Sequence, residues 1–282
     1  MAANLADEIK NQKVDGNSIS VWGLGQMGVC IKDADQRIIF IDPILSDIVA
    51  ETFPENADLF KREFDAPLSP EEIDFADLVL CTHEHLDHAD PQTLAGILKA
   101  SPQAKFYTSQ WAIDELGKAS LDTSRFSVAM PGEFYKSDGL TVHSIPSAHY
   151  EVEVDDKKGS RWLGFLLDWN GLRFYHSGDT ILYPGLAEKL KSFSPIRVMM
   201  LAVNGRDAER EAMDIVGNLH LAEAYGLAWE ADCAHILAGH NDLFAFNSVD
   251  LEEERQHISS PNARQPFFIE LLPGQHMVFH RG

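Results

Sequence analysis

The stretch from Asp77 to Asp90 holds the densest chemistry in the chain: His83, His85, Asp87 and His88 stand within six residues. Imidazole nitrogens and carboxylate oxygens are donors for first-row divalent metals, and these four offer half-shells for two ions. The preceding run Leu78–Cys81 is apolar and reads as a buried strand that stops at Thr82. If the backbone stays extended, His83 and His85 fall on one side, because side chains alternate with period two. Asp87 and His88 then turn back toward the same point. The zinc-protease pattern H-E-x-x-H does not fit, since Asp87 stands where its second histidine belongs and the lead-in is a strand rather than a helix. The plain alternative is a solvated acidic loop carrying three histidines. Clustering directly behind an apolar strand argues against it.

Later strand ends offer the same chemistry. Leu140–Ile145 runs into Pro146-Ser147-Ala148-His149, Leu172–His176 into Ser177-Gly178-Asp179-Thr180, and His235–Ala238 into Gly239-His240-Asn241-Asp242. Open sheets place sites beyond strand ends, so His149, Asp179 and His240 are expected to converge on the first cluster. Asp42 closes the strand Arg37–Asp42, where a carboxylate can orient a metal-bound histidine. His176 either fixes a ligand by hydrogen bond or is a satisfied histidine at a strand end, and we favour the former. His143, His220, His235, His276 and His280 read as core or surface histidines, and His257 as exposed.

The remaining elements must carry these ends to one rim. A short helix is expected in residues 1–18, ending at Gly16-Asn17, then a strand at Ile19–Trp22. Gly23-Leu24-Gly25-Gln26-Met27-Gly28 matches G-x-G-x-x-G, yet Val29–Lys32 behind it is short and apolar. Without a helix to hold a pyrophosphate, a dinucleotide site is rejected, and the glycines are read as a bend between two strands. Residues 43–68 interleave prolines with Phe53, Phe60 and Phe64, and form a satellite core or subunit contact in preference to a lid. Ser69-Pro70-Glu71-Glu72 reads as a capping box opening a short helix. Helices are expected from Asp90-Pro91 to Lys99, from Ser109 to Gly117, and over Leu186–Phe193 and Leu221–Ala231. Strands are expected at Lys105–Thr108, Arg125–Met130 and Val198–Val203. Asn170-Gly171 joins Trp162–Asp168 to Leu172–His176 as a hairpin, and Pro273-Gly274 is read as joining Phe267–Leu272 to His276–His280 likewise. Two sheets with helices outside, a four-layer sandwich, accommodate this order as one domain over residues 1–282.

Composition narrows the function classes. A net charge of −21 with no basic run opposes nucleic-acid and anionic-membrane binding. No apolar run approaches the ~18 residues of a membrane span, and no signal-peptide core is expected. Three unpaired cysteines suit a reducing cytoplasm.

The series His83-x-His85-x-Asp87-His88, His149, Asp179, His240 resembles the ligand set of the metallo-β-lactamase superfamily, over nearly the whole chain from Ile19. The resemblance implies an αβ/βα sandwich. It assigns His83, His85 and His149 to one metal, Asp87, His88 and His240 to a second, and Asp179 to a bridge. Flavo-diiron relatives carry a glutamate where His85 stands, which disfavours oxygen or NO reduction. Gly25-Gln26-x-Gly28, Val203-Asn204-Gly205-Arg206-Asp207, Gly217-Asn218, Ala222-Glu223-Ala224 and His240-Asn241-Asp242-Leu243-Phe244 are similar to the UlaG-type branch, whose namesake is an L-ascorbate-6-phosphate lactonase.

By that resemblance, two divalent ions (Zn²⁺ or Mn²⁺, with Fe²⁺ and Co²⁺ also compatible) activate a water against a lactone or ester of a small anionic substrate, such as a phosphorylated sugar acid. His85 and Asp87 are the residues on which turnover depends, with Asp87 orienting the nucleophile and returning a proton to the leaving alkoxide. Arg206 is the candidate for the substrate's oxyanion, with Asn204 donating beside it, and local pairing of Arg206 with Asp207 or Glu209 stands as the equal alternative. A small-molecule phosphodiesterase and a non-catalytic metal-binding protein are the competing functions. A homo-oligomer is expected.

Overall fold

The computed structural model describes residues 4–256, 258 and 266–282. After helix α1 (Leu5–Asn11), the first half builds β1 (Ser18–Gly25), β2 (Gly28–Lys32), β3 (Ile38–Ile41), β4 (Leu78–Cys81), β5 (Lys105–Thr108) and β6 (Phe126–Val128). Helices α2 (Ile48–Thr52), α3 (Pro91–Ala100) and α4 (Gln110–Lys118) lie between these strands. The second half adds β7 (Phe134–Ser137), β8 (Leu140–Pro146), β9 (Val154–Asp155), β10 (Gly159–Ser160), β11 (Leu163–Trp169) and β12 (Leu172–His176). It closes with α5 (Leu186–Lys191), β13 (Val198–Ala202), α6 (Ala208–Ala212), α7 (Leu221–Glu230), β14 (His235–Gly239), α8 (Leu251–Gln256), β15 (Phe267–Ile269) and β16 (His276–His280).

Among the described residues, two 7-stranded sheets run in the orders β16-β1-β2-β3-β4-β5-β6 and β15-β14-β13-β12-β11-β8-β7. Their apolar strands are buried on both faces. In β4, Leu78 and Leu80 face the core between the sheets, while Val79 and Cys81 face the outer helices. In β13, Val198, Met200 and Ala202 point inward, and Met199 and Leu201 outward. Period-two alternation therefore serves two cores at once, which is why these runs carry no polar face. Leu94 and Ile97 of α3 and Leu116 of α4 cover the first sheet. Leu186 and Leu190 of α5 and Leu221 and Leu227 of α7 cover the second. The expected four-layer αβ/βα sandwich is the observed one.

Strand direction decides where the ligating loops emerge. β3, β4, β5 and β6 are parallel, so the α-helical crossovers leave from one rim. In the other sheet β8 and β12 are both antiparallel to β11, hence parallel to each other, and β13 and β14 follow β12 in parallel. The carboxyl ends of β8, β12 and β14 thus share a rim. Asp90 starts α3 by accepting the Gln92 and Thr93 amides, with Pro91 in the first turn. That cap returns the chain into the sandwich directly behind the His83–His88 turn.

Several local expectations are corrected. Phe267–Leu272 and His276–His280 do not form a hairpin: β15 pairs with β14 and β16 with β1, so the chain crosses between sheets over Pro273-Gly274. The turn signal was local, but each strand found a better-fitting edge elsewhere. α1 ends at Asn11 rather than at Gly16. At Ser69 the amide donates to Glu72 Oε2 at 3.0 Å, but only one 3-10 turn forms before the chain turns toward β4. The Asn170-Gly171 turn has φ of 53° and 102°, as a type I′ hairpin requires. Gly25 and Gly28 pair across the β1–β2 turn, with no helix after them. In residues 43–68, Phe60 lies edge-on to Phe244 and Phe246 at 6.0 and 5.4 Å between ring centroids, in a satellite core with Ile44, Val49 and Leu243. His257 lies outside the described residues.

Candidate metal centre

The structure brings all seven expected donors together at one rim. His83, His88, His149, Asp179 and His240 are buried, while His85 and Asp87 are half-buried. His83, His85 and His149 form one group of donors, His83, His88 and Asp179 a second, and Asp87, His88 and His240 a third, with donor atoms in each group within 4.8 Å of one another. Asp179 lies between the groups, its Oδ1 3.2 Å from His88 Nε2 and its Oδ2 3.1 Å from His240 Nε2 and 4.0 Å from His149 Nε2. Asp87 Oδ2 is 3.4 Å from His240 Nε2 and 3.6 Å from His88 Nε2.

Asp42 sets the proton positions behind this cluster. Its Oδ1 accepts the Thr82 amide at 2.7 Å, and its Oδ2 accepts the Thr82 hydroxyl at 2.6 Å. His88 Nδ1 also lies 2.8 Å from Oδ2, so it must donate there, and Nε2 is the nitrogen that gives a lone pair once the ring is neutral. With its hydrogen given to Asp42, the Thr82 oxygen accepts from His83 Nδ1 at 3.0 Å, which frees His83 Nε2 in the same way. One carboxylate thus orders two imidazoles. Asp42 does this at φ 47°, a left-handed backbone held by those bonds.

Among the described residues His176 makes no hydrogen bond to any of the seven donor side chains. Its Nε2 donates to Met27 O at 2.8 Å, and its Nδ1 accepts the Gly178 amide at 3.2 Å. It therefore fixes the backbone immediately before Asp179, not a ligand ring, which corrects the expected contact. Gly178 has φ 55°, and a Cβ there would meet Thr82 Cβ at 2.9 Å and the Leu163 carbonyl closer still. Only glycine lets the loop pass and deliver Asp179.

Gln26 escaped the sequence reading as a site residue. It sits at the β1–β2 turn with φ 58°, and its Nε2 donates to Asp87 Oδ2 at 2.8 Å and lies 3.1 Å from His240 Nε2. Its amide donates to Asp242 Oδ1 at 2.8 Å, and its carbonyl accepts the His240 amide at 2.8 Å. The available signal was a lone polar residue at the bend between the apolar ends of two strands, Val21–Leu24 and Val29–Ile31.

Arg206 and Asn204 are not at the centre. Arg206 Nη1 and Nη2 donate to the two carboxylate oxygens of Glu223 at 2.7 Å each, and Nη1 also to Asn218 O. Glu223 in turn caps α7 through the His220 amide. The arginine's partner lies seventeen residues away and is neither of the nearby acids considered. Asn204 is fully buried and donates to Asn247 Oδ1 at 3.0 Å. Neither residue lines the cavity above the centre. His235, half-buried, stacks on Phe267, and His143 packs against Phe193.

The electrostatics of the cluster suit cations. Burial pushes His83 well below the ordinary imidazole range, with His88 and His85 adding repulsion. Burial likewise takes His149 down to about 4. For His240 burial works against charge, but Asp179 and Asp87 more than offset it and raise it to about 9. His88 is raised well above its usual range against the same opposition from burial, chiefly by Asp179. Burial favours neutral carboxyls at Asp87 and Asp179, and the neighbouring His88 and His240 overcome it and hold both far below the usual carboxylate range. Meanwhile His83 Nε2, His88 Nε2, His149 Nδ1 and Asp179 Oδ1 are buried without a hydrogen-bond partner. Buried polar atoms are rarely left so, and four in one cluster fit a metal as the missing partner.

A cavity of about 780 Å³ opens over the centre. His85, Asp87, His149, Asp179 and His240 line it, with Phe53, Phe60, Leu86, Trp111, Phe244 and Phe246 supplying apolar wall. Arg161 also lines it, tied to Glu84 at 2.5 Å and Glu153 at 3.2 Å and lying over Trp111 and Trp162.

An αβ/βα sandwich with a histidine–aspartate cluster on one rim defines a fold with a candidate metal centre. The family model described as "Beta-lactamase superfamily domain" matches residues 37–240, and the chain belongs to that metallo-β-lactamase superfamily. Similar sequences include a UPF0173 metal-dependent hydrolase from Thermococcus kodakarensis, 30% identical over 151 residues, which are 50% of this chain and 59% of that protein. Another is named probable L-ascorbate-6-phosphate lactonase UlaG, from Salmonella paratyphi B, 23% identical over 206 residues, covering 62% of this chain and 58% of that one. The chain thus spans less than two thirds of the length of these relatives. Among solved structures, Igni18, a metallo hydrolase from Ignicoccus hospitalis, superposes with TM-score 0.65 at 20% identity, over 93% of this chain and 99% of its own. A possible metal-dependent hydrolase from Veillonella parvula gives 0.69 at 17% identity, over 93% and 99%. These structures share the fold. No helix among the described residues is long and apolar enough to cross a membrane.

Proposed function

We propose that this protein is a two-metal hydrolase of lactones or carboxylic esters. The observation that carries the reading is the set of buried, partnerless donor atoms around Asp179 at the floor of an apolar-walled cavity. His83, His85 and His149 would hold one divalent cation, Asp87, His88 and His240 the other, with Asp179 shared. Such a pair supplies an acidified water and polarises the scissile carbonyl.

The chain's own residues supply the rest. Asp87 gathers its hydrogen-bond donor Gln26 and its histidine neighbours on Oδ2, so Oδ1 is left for the cavity that Asp87 lines. There it accepts a hydrogen bond from the attacking water, orients it, and relays its proton to the leaving alkoxide. Gln26 locks that carboxylate's rotation. Asp42 and Thr82 keep the imidazole protons away from the centre. The walls hold the acyl body and exclude bulk water.

For the substrate, the name of the Salmonella relative supports a lactone. A phosphorylated sugar acid finds little on the cavity wall: Arg161 is already shared by two glutamates, and Lys118 by Glu115. A lactone or ester with a largely apolar body suits these walls better. The test is acid release from a lactone and ester panel, with bis-p-nitrophenyl phosphate in parallel, before chelation, after it, and after Mn²⁺ or Zn²⁺ is restored. Chelator-sensitive turnover of lactones or esters is expected. Turnover of the phosphodiester alone, or of neither class, overturns the proposal.

A further inference from the structure

Behind one wall of the cavity runs a buried polar chain that the proposed chemistry does not use. Arg210 is 5% exposed. Its Nε donates to Asp207 Oδ2 at 2.6 Å, its Nη2 to Asn204 O at 2.9 Å, and its Nη1 to Asn247 at 2.9 Å. A guanidinium has no acceptor, so the Asn247 atom facing Nη1 is the amide oxygen. The same oxygen accepts Asn204 Nδ2 at 3.0 Å, and Asn204 Oδ1 accepts Asn218 Nδ2 at 3.0 Å. Each amide's orientation follows from the one before it, and the arginine fixes the whole series.

The consequence falls on Asn247. Its oxygen is engaged twice, which leaves Nδ2, an atom that can only donate, with no hydrogen-bond acceptor found among the described residues. Asn247 is 8% exposed and lines the cavity, as do Phe244, Phe246, Ile215 and Val216. An oriented donor set into an apolar wall is how a pocket demands one oxygen at one place.

We infer that Asn247 is a specificity-determining residue whose Nδ2 donates to a neutral acceptor oxygen, of keto, hydroxyl or ether type, on the acyl body held by the cavity. Asn204 and Asn218 are positioning residues for it, and Arg210 is their anchor. This rests on the hydrolase reading for the identity of the acyl group, but the donor itself is testable without turnover.

The probes are methyl alkanoates and their oxo derivatives of equal length, with the keto group at the third, fourth or fifth carbon. Binding is followed by ligand-detected NMR, and hydrolysis by acid release, for the wild-type protein, Asn247→Ala and Asn247→Asp. The aspartate keeps the acceptor for Arg210 and Asn204 but replaces the free donor with an acceptor, so it controls for a folding defect in the alanine variant. Wild type should favour at least one oxo ester over its plain partner by ~10-fold, and both variants should bring that ratio close to one. No preference by wild type anywhere in the panel, or a preference that survives in Asn247→Asp, overturns the inference. A binding preference without hydrolysis of any ester leaves Asn247 in its role and strikes at the hydrolase reading alone.

Discussion

Replacing Asp42 with asparagine tests whether the centre is organised by proton placement. Asp42 accepts three hydrogen bonds, at 2.7 and 2.6 Å from Thr82 and 2.8 Å from His88. Asparagine keeps one oxygen, which can still accept the Thr82 amide. Its NH₂ then faces His88 Nδ1 and the Thr82 hydroxyl, so a donor replaces an acceptor. His88 Nδ1 must accept, which moves the imidazole proton to Nε2, the atom that faces Asp179 and the metal. Thr82 can no longer give its hydrogen away, and its acceptance from His83 weakens too. Losing one such support typically costs 10–100-fold in metal affinity, or about 1.4–2.7 kcal/mol. Two histidines are affected here, so we expect the upper end, near 100-fold. Competition against a metallochromic chelator gives the affinity. Denaturant unfolding of the metal-free protein separates it from general damage, which should stay near 1–3 kcal/mol, the cost of one mismatched buried group. Wild-type metal affinity in Asp42→Asn would refute the reasoning, because among the described residues Asp42 is the carboxylate that sets both imidazole protons, directly at His88 and through Thr82 at His83.

Other predictions follow from the same geometry. His240 and His88 are held protonated in the metal-free centre, His240 up to about 9, so metal binding at neutral pH should release protons. Affinity should therefore rise with pH until that value is passed and fall in acid; calorimetry in buffers of different ionisation enthalpy counts the protons, and zero release would contradict it. Gly178→Ala places a Cβ against Thr82 and the Leu163 carbonyl at φ 55°, so metal content should drop and stability should fall by more than the ~1–2 kcal/mol of left-handed strain alone. Unchanged unfolding midpoint and metal content would count against that loop geometry. Arg206→Ala should change KM equally for anionic and neutral substrates, since the arginine serves Glu223. Burial raises the Glu223 carboxyl and the Arg206 pair lowers it, with a net depression. That stabilisation is present above the ordinary glutamate range and is lost as pH falls through the depressed value. The variant should cost about 1 kcal/mol at pH 7 and less in acid. A selective KM rise for anions would restore the arginine to the substrate.

The metal donors were legible because each stands just past an apolar strand, and parallel strands must send those ends to one rim. His83–His88 announced itself by density, and Asp179 and His149 by position. Asp42 was readable for the same reason. What stayed hidden was every choice made across space. Gln26 was absorbed into a glycine pattern, although its turn points at Asp87. Arg206 looked like an anion receptor until Glu223, on α7, supplied its carboxylate. β15 and β16 were separated by a good turn sequence, yet edge strands choose partners by the free edge available, which local residues do not encode.

The donors do not come from one half of the fold. His83, His85, Asp87 and His88 follow a strand of the first sheet, whereas His149, Asp179 and His240 follow strands of the second. A cation held by both sets acts as a clasp across the seam where two separately hydrogen-bonded layers meet. Above its dissociation constant, each decade of free metal then adds about 1.4 kcal/mol to folding. Starved of metal, the molecule should loosen first along that rim, with the outer helices still seated on their sheets.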